Sequence, residues 1–277
     1  MLVAAAGAED PFGKGTNPNQ RLKSLGLPVA ELVALPRGSF RMGSDAGARS
    51  EQPEHRVTLS PFWISRTEVT VSQFAAFIAD SGYKTRAERS GEDAGGWVFD
   101  AKREQMALKA DASWRHPYLE QANDHPVVLV TWHDASAYAE WLARKSGLKV
   151  RLPTEAQWEY ACRAGTQGDY AGDLDALAWH KENSSRRTHA VAGKQANAWG
   201  LFDMHGNVWE WTRDWYSDYL PDEQQDPPGP ADQGRGKIAR GGSFNFPATH
   251  ARASHRQEGH GPEARAQDLG FRIVVEH

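Results

Sequence analysis

The chain has 277 residues, 39% hydrophobic and 25% charged, a globular composition long enough for one large domain or two small ones. Its 32 basic and 36 acidic side chains leave a net charge of −4, so no basic excess exists to bind a nucleic acid or an anionic membrane surface. No run of about 18 apolar residues offers a membrane span, and the single cysteine, Cys162, cannot close an intramolecular disulfide.

At the start, Leu2 to Ala8 is apolar and small, Ala6-Gly7-Ala8 fits the pattern that signal peptidase cuts after, and acidic Glu9-Asp10 follows. This reads as the tail of a signal peptide behind a methionine and predicts an exported, periplasmic protein; a disordered N-terminus of a cytosolic protein is the alternative. Residues 9–28, rich in Gly, Pro, Asn and Lys, read as an extended arm. Residues 1–29 are thus remnant and arm, and 30–277 one domain, because turn signals recur to the C-terminus without a linker. Val57-Thr58-Leu59 reads as a strand. Thr70 with Gln73 forms a capping box, and Phe74, Phe77 and Ile78 follow on one helical face. The apolar run Val127 to Val130 reads as a further strand. A second helix opens at Thr131 with Asp134 and runs through Tyr138, Ala139 and Leu142 to a left-handed cap at Gly147. A third opens at Thr154 with Gln157 and carries Trp158, Ala161 and Cys162. Phe271 to Val275 is a last strand. Few helices, short strands and much loop predict an irregular, single-domain α+β fold. The 11 tryptophans suit such a chain, each burying large area while offering an indole N–H.

Several segments together resemble the formylglycine-generating-enzyme (sulfatase-modifying factor) family. They are Phe40 to Ser44, Glu51 to Val57, Glu68-Val69-Thr70 with Phe74, His125 to Val128, Val130 to Ala135, and Arg151 to Ala161. Gly200 to Trp211, Arg240 to Phe244 and Leu269 to Arg272 complete the set, spread over residues 38 to 275 in the family's order. The resemblance implies the family's variant of the C-type lectin fold. It also implies a structural calcium in the stretch from Asp203 to Glu210, through the side chains of Asp203 and Glu210 and the carbonyls of Gly206 and Val208. Hard oxygen ligands from one tight loop are what calcium requires. The alternative is a capping Asp203 and a buried Glu210 paired with an arginine. The family's second calcium site falls near Asn183, in a segment that is shorter here, and is left open.

The sulfatase-activating members bind copper through two cysteines shortly after the Gly-Gly-Ser turn. The matching positions here are Phe246 and Ala251, which offer no thiolate. The family's copper route to formylglycine is therefore not expected, and Cys162 reads as helix core. Polar and basic residues stand in their place: His250, Arg252, His255, Arg256, Glu258, His260, Arg265 and Asp268. His250 and His255 are candidate acid–base groups, with Ser243 as a hydrogen-bond donor, Trp209 and Phe246 as aromatic walls, and Arg252 and Arg256 as partners for an anionic ligand. Surface histidines are the plainer reading.

A cysteine-poor, periplasmic branch of the family matures the siderophore pyoverdine, in the oxidation of dihydropyoverdine to the aromatic chromophore. The resemblance implies that role here, with a siderophore precursor as partner. A non-catalytic ligand- or protein-binding module on the same scaffold is the alternative, since function lives in the site and not the fold.

Overall fold

Each of the three expected helices begins where a threonine closes a capping box. The computed structural model describes residues 17–91, 94–100, 103, 105–230 and 235–276; the export signal expected at residues 1–8 lies outside them. In Val71–Ser81, Trp132–Ser146 and Glu155–Arg163 the side chains of Thr70, Thr131 and Thr154 accept from the third helical N–H. Gln73, Asp134 and Gln157 bond back to the cap. Gly82, Gly147 and Ala164 end them in left-handed conformation.

In chain order the elements are α1 (Pro18–Ser24), β1 (Leu32–Leu35), β2 (Gly38–Met42), β3 (His55–Leu59), β4 (Phe62–Ser65) and α2 (Val71–Ser81). Then follow β5 (Gly96–Asp100), β6 (Gln105–Lys109), α3 (Trp132–Ser146), β7 (Lys149–Arg151), α4 (Glu155–Arg163) and α5 (Leu174–Leu177). The C-terminal part adds β8 (Trp209–Trp215), β9 (Gln224–Gln225), β10 (Lys237–Arg240), β11 (Gln257–His260), β12 (Leu269–Gly270) and β13 (Val274–Glu276). They form sheets ordered β1-β4-β13-β7, β11-β10-β8-β12 and β2-β3-β9, with β5–β6 a separate hairpin.

Two expectations are corrected. The arm is not extended throughout: Asn17 caps α1, Asn19 bonds both backbone groups of Leu32, and Leu22 is buried in the core. The domain therefore includes residues from 17 onward rather than from 30. The run Val127–Val130 is fully buried but is no strand, because Leu129 has φ of +58° and breaks the pleat. Its amides bond one by one to distant carbonyls, Val127 N to Val69 O and Leu129 N to Ala266 O.

The larger core packs α2 on α3 through Phe74, Phe77, Tyr138, Trp141 and Phe271. A second surrounds α4 through Trp158, Tyr160 and the inner residues of β1 to β4. Between α4 and β10 lies a buried ionic mesh. Arg240 is fully buried and contacts Glu155 at 3.3 Å and Glu159, and Arg163 also binds Glu159. This rigid centre holds the loops that follow β10.

Candidate functional site

The site begins where β12 runs parallel to β8, so that Trp209 N donates to Asp268 O at 2.8 Å. The Gly241-Gly242 turn passes against the single helical turn at residues 248–251. Gly242 has φ of +76°, and a Cβ there would stand 2.9 Å from Ala251 backbone. Beyond the turn, Ser243 Oγ donates to Asp268 Oδ2 at 2.8 Å, and the Phe246 ring meets Trp209 edge-on with centroids 5.5 Å apart. The β5–β6 hairpin docks on the chain before β12: Trp97 N donates to Arg265 O and Gln267 N to Trp97 O. Together these enclose a cleft of about 290 Å³ whose walls include Trp97, Met106, Trp209, Phe246, His260 and Asp268.

Asp268 is buried, and its neighbours supply the Ser243 hydroxyl and its own backbone N–H but no cation. Burial pushes its carboxyl up to about 6, against the Ser243 hydrogen bond that favours the charged form. His250 packs on the rings of both Trp209 and Phe246, and His255 on Trp209 and on His250. Their centroids lie 4.7 Å apart and 6.3 and 5.7 Å from Trp209, and His250 is 5.2 Å from Phe246. Burial lowers the His250 pKa; burial and the neighbouring His250 push His255 down to about 4. Both rings are therefore neutral at neutral pH, and His255 is a weak base.

The two arginines expected to meet a ligand are committed elsewhere. Arg252 binds both oxygens of buried Glu51, at 2.8 and 2.6 Å, and Ser254 Oγ joins them. Arg256 binds both oxygens of Glu155, at 2.7 and 2.9 Å, and lies 4.0 Å from the Tyr219 ring centre. It lines a separate cavity of about 230 Å³ with Glu155, Asp214 and Tyr219. Both guanidiniums are counter-ions to buried carboxylates, a relation the sequence does not announce because the partners lie 201 and 101 residues away. Ser243, likewise expected to face a ligand, spends its proton on Asp268. Cys162 is fully buried in α4, its thiol pushed far up by burial and 3.5 Å from Met204 O. Trp97 and Met106 were not foreseen. Their signal is a short apolar run in each hairpin arm, Trp97-Val98-Phe99 and Met106-Ala107-Leu108, with Trp97 and Phe99 opposite Leu108 and Met106 on one face.

The sulfatase-modifying factor enzyme 1-like domain model matches residues 19–277. The chain belongs to that family. A formylglycine-generating enzyme of Mycobacterium tuberculosis is 35% identical, over 90% of this chain and 98% of that one. Among solved structures, PvdO from Pseudomonas aeruginosa is similar with a TM-score of 0.74 and 28% identity, over 90% of this chain and 95% of that one. Treponema denticola variable protein 1 is similar with a TM-score of 0.71 and 26% identity, over 89% and 95%. The α+β domain thus has the formylglycine-generating-enzyme variant of the C-type lectin fold. At Phe246 and Ala251, the positions that the resemblance matches to the family's two cysteines, Phe246 meets Trp209 edge-on and Ala251 backs the glycine turn, so the side chains there do not fit a thiolate-bound copper.

The stretch from Asp203 to Glu210, where the resemblance implies calcium, is better suited to an ion. Asp203 and Asn207 have φ of +57° and +56°, and a Cβ on Gly206 would stand 2.2 Å from Trp179 O, so the loop is tightly wound. Glu210 accepts from Arg272 at 2.6 and 2.7 Å and from Trp158 Nε1 at 2.7 Å, the arginine pairing weighed as the alternative. Those three donors leave one of its four lone-pair sites open. Asp203 accepts only from Ala192 N, through Oδ2. Among the described residues no three His, Cys, Asp or Glu side chains form a metal cluster, so the Gly206 and Val208 carbonyls would have to complete the shell. The charge balance favours a cation. Burial and the charges of Asp203 and Glu210 raise Glu68 well above the carboxylate range, and burial pushes Asp203 up to about 6, while Arg272 is the one cation opposing them.

Proposed function

We propose that this chain is an exported enzyme that completes a catechol-bearing siderophore precursor, oxidising dihydropyoverdine to the aromatic pyoverdine chromophore. One observation carries the reading: a cleft walled by Trp97, Trp209 and Phe246 with a single buried carboxylate among the described residues that line it, Phe246 being a position that the resemblance matches to a copper-binding cysteine of the family. Flat apolar walls favour a planar ring. The structural likeness to PvdO supports the same reading, and the apolar, small residues 2–8 support export. No resident redox metal is required. The catechol passes two electrons and two protons to O₂, giving an o-quinone and H₂O₂. Two protons then leave adjacent saturated ring carbons, one C–H electron pair becoming a ring C=C bond while the other restores the aromatic ring, and both quinone oxygens are protonated to phenols. The substrate loses two hydrogens in all. Calcium, held by Asp203, Glu210 and the Gly206 and Val208 carbonyls, serves structure and not this chemistry.

Incubating the purified protein with dihydropyoverdine and O₂ should produce the chromophore absorbance and one equivalent of H₂O₂, faster than buffer alone. A rate equal to buffer overturns the reading. A second reading, a binding module, is favoured by the hairpin face beside the cleft, where Trp97 and Leu108 are 47% and 48% exposed. Saturable quenching of tryptophan fluorescence by dihydropyoverdine without turnover would select it.

A further inference from the structure

We infer that Asp268 is the acid–base group of this cleft and that Ser243 is its positioning residue; the inference rests on the reading of the cleft as a site of ring oxidation. The two histidines nominated from sequence are less apt, since His255 is a weak base and both rings pack tilted or edge-on in the aromatic cluster, outside the residues that line the cleft. Asp268 is the one carboxylate among the described residues that wall the cleft. It is 4% exposed and has no ion-pair partner among the described residues. An ionised carboxylate buried without a cation is costly; the buried Arg240, Arg252 and Arg256 are committed to other acids, and Arg265, which shares the cleft wall, donates to the carbonyls of Gly95 and Glu263. Such an uncompensated acid at the wall of a cavity is a functional candidate on physical grounds.

Its placement is rigid. The Asp268 carbonyl accepts from Trp209 N, and Leu269 pairs with Trp209 in the parallel ladder, so the backbone of Asp268 is fixed beside that of Trp209, and both residues line the cleft. Ser243, locked by the double-glycine turn, donates to Oδ2 and leaves Oδ1 without a donor from another residue. Burial sets the carboxyl at about 6, close to the pH at which a general base is both ionised and strong enough to accept a proton. In the step assigned to it, Asp268 takes the proton from a saturated ring carbon of the quinone. The C–H electron pair forms a C=C bond conjugated with the ring and one quinone oxygen takes a proton from water, giving a quinone methide; Asp268 returns its proton to water, and loss of a proton from the adjacent carbon with protonation of the second oxygen completes the aromatic chromophore.

Asp268→Asn should leave consumption of O₂ by dihydropyoverdine in place but slow chromophore formation by ~10²-fold or more, so that the quinone accumulates. The wild-type rate should rise with pH through about 6 as Asp268 ionises. Ser243→Ala removes a hydrogen bond that favours the charged form, so its acid limb should move to higher pH, a shift that a merely structural role would not produce. An Asp268→Asn protein with the wild-type rate, or a Ser243→Ala profile superposable on the wild type, overturns the assignment while leaving the cleft reading intact. A wild-type protein that neither binds nor converts dihydropyoverdine overturns both.

Discussion

Arg256 and Asp268 are both buried charged groups, and their surroundings send them to opposite roles. Arg256 makes two bonds to Glu155, two to backbone carbonyls and two ring contacts, so every donor it aims into the protein is used. Asp268 has a hydroxyl for company and faces a cavity. From sequence the arginine looks like the ligand-binding group, because a basic residue in a polar loop is visible and its distant carboxylate is not. The same holds for Arg252. Glu51 is fully buried, and although burial works to raise its pKa, Arg252 and Ser254 hold it below the usual carboxylate range. Arg252→Ala would strand that charge. The expected cost is about 3 kcal/mol of stability, read as a lower denaturation midpoint, with substrate KM unchanged in the folded fraction. A raised KM at unchanged stability would restore Arg252 to the ligand. Trp209 and Phe246 stand out in the sequence as site candidates because their motifs follow the family's order, and both line the cleft. The Ser243–Asp268 pair was not, being a contact across 25 residues between loops.

At the scale of elements, what is local was readable. Capping boxes and left-handed glycines lie within four residues of the helix ends they set, so α2, α3 and α4 follow from the chain itself. Val127–Val130 misleads because four buried apolar residues look alike in a central strand and in a coil threading the core; only the backbone of Leu129 decides. Strand β8 was missed for a related reason. Its residues Trp209 to Thr212 are all buried, so no alternation of apolar and polar residues betrays a strand. The α4 cap also shows how an element reaches the site. Thr154 Oγ1 accepts from Gln157 N at 3.1 Å, and Gln157 Oε1 bonds back to Thr154 N and to Arg151 Nη1. This corner sets the register of Glu155 and Glu159, the acids that hold Arg240 and Arg256. Thr154→Ala leaves a buried N–H unpaired and should cost about 1 to 2 kcal/mol in urea unfolding. A loss below about 0.5 kcal/mol, the lower bound for a cap, would mean that the mesh rather than the cap holds the helix start.

For the whole molecule, the question is how so many buried charges are balanced. Around α4 and β10 the signs alternate, with Glu155 and Glu159 interleaved among Arg163, Arg240 and Arg256. Around Arg272 they do not: Glu68, Asp203 and Glu210 face one guanidinium, and Asn207 Nδ2 and Val208 N add only neutral donors to Glu68. Either a cation or protons must offset the excess. The oxygen-only set at Asp203 and Glu210, with the loop carbonyls beside them, is of the kind that calcium takes. An ion bound only to the folded chain at about 100 times its Kd adds about 2.7 kcal/mol, which for a domain of this size corresponds to roughly 5 to 10 °C in Tm. Adding a chelator should lower Tm by that order, restoring calcium should reverse it, and Asp203→Ala should abolish the difference. The opposite outcome is equally defined. If elemental analysis finds no calcium per chain and the chelator changes nothing, protons hold the cluster together. Groups whose folded pKa is raised, such as Asp203 at about 6, lend stability that is present at low pH and lost on going up. In that case Tm should fall as the pH is taken from 5 to 7, whereas a calcium-loaded site should hold it level.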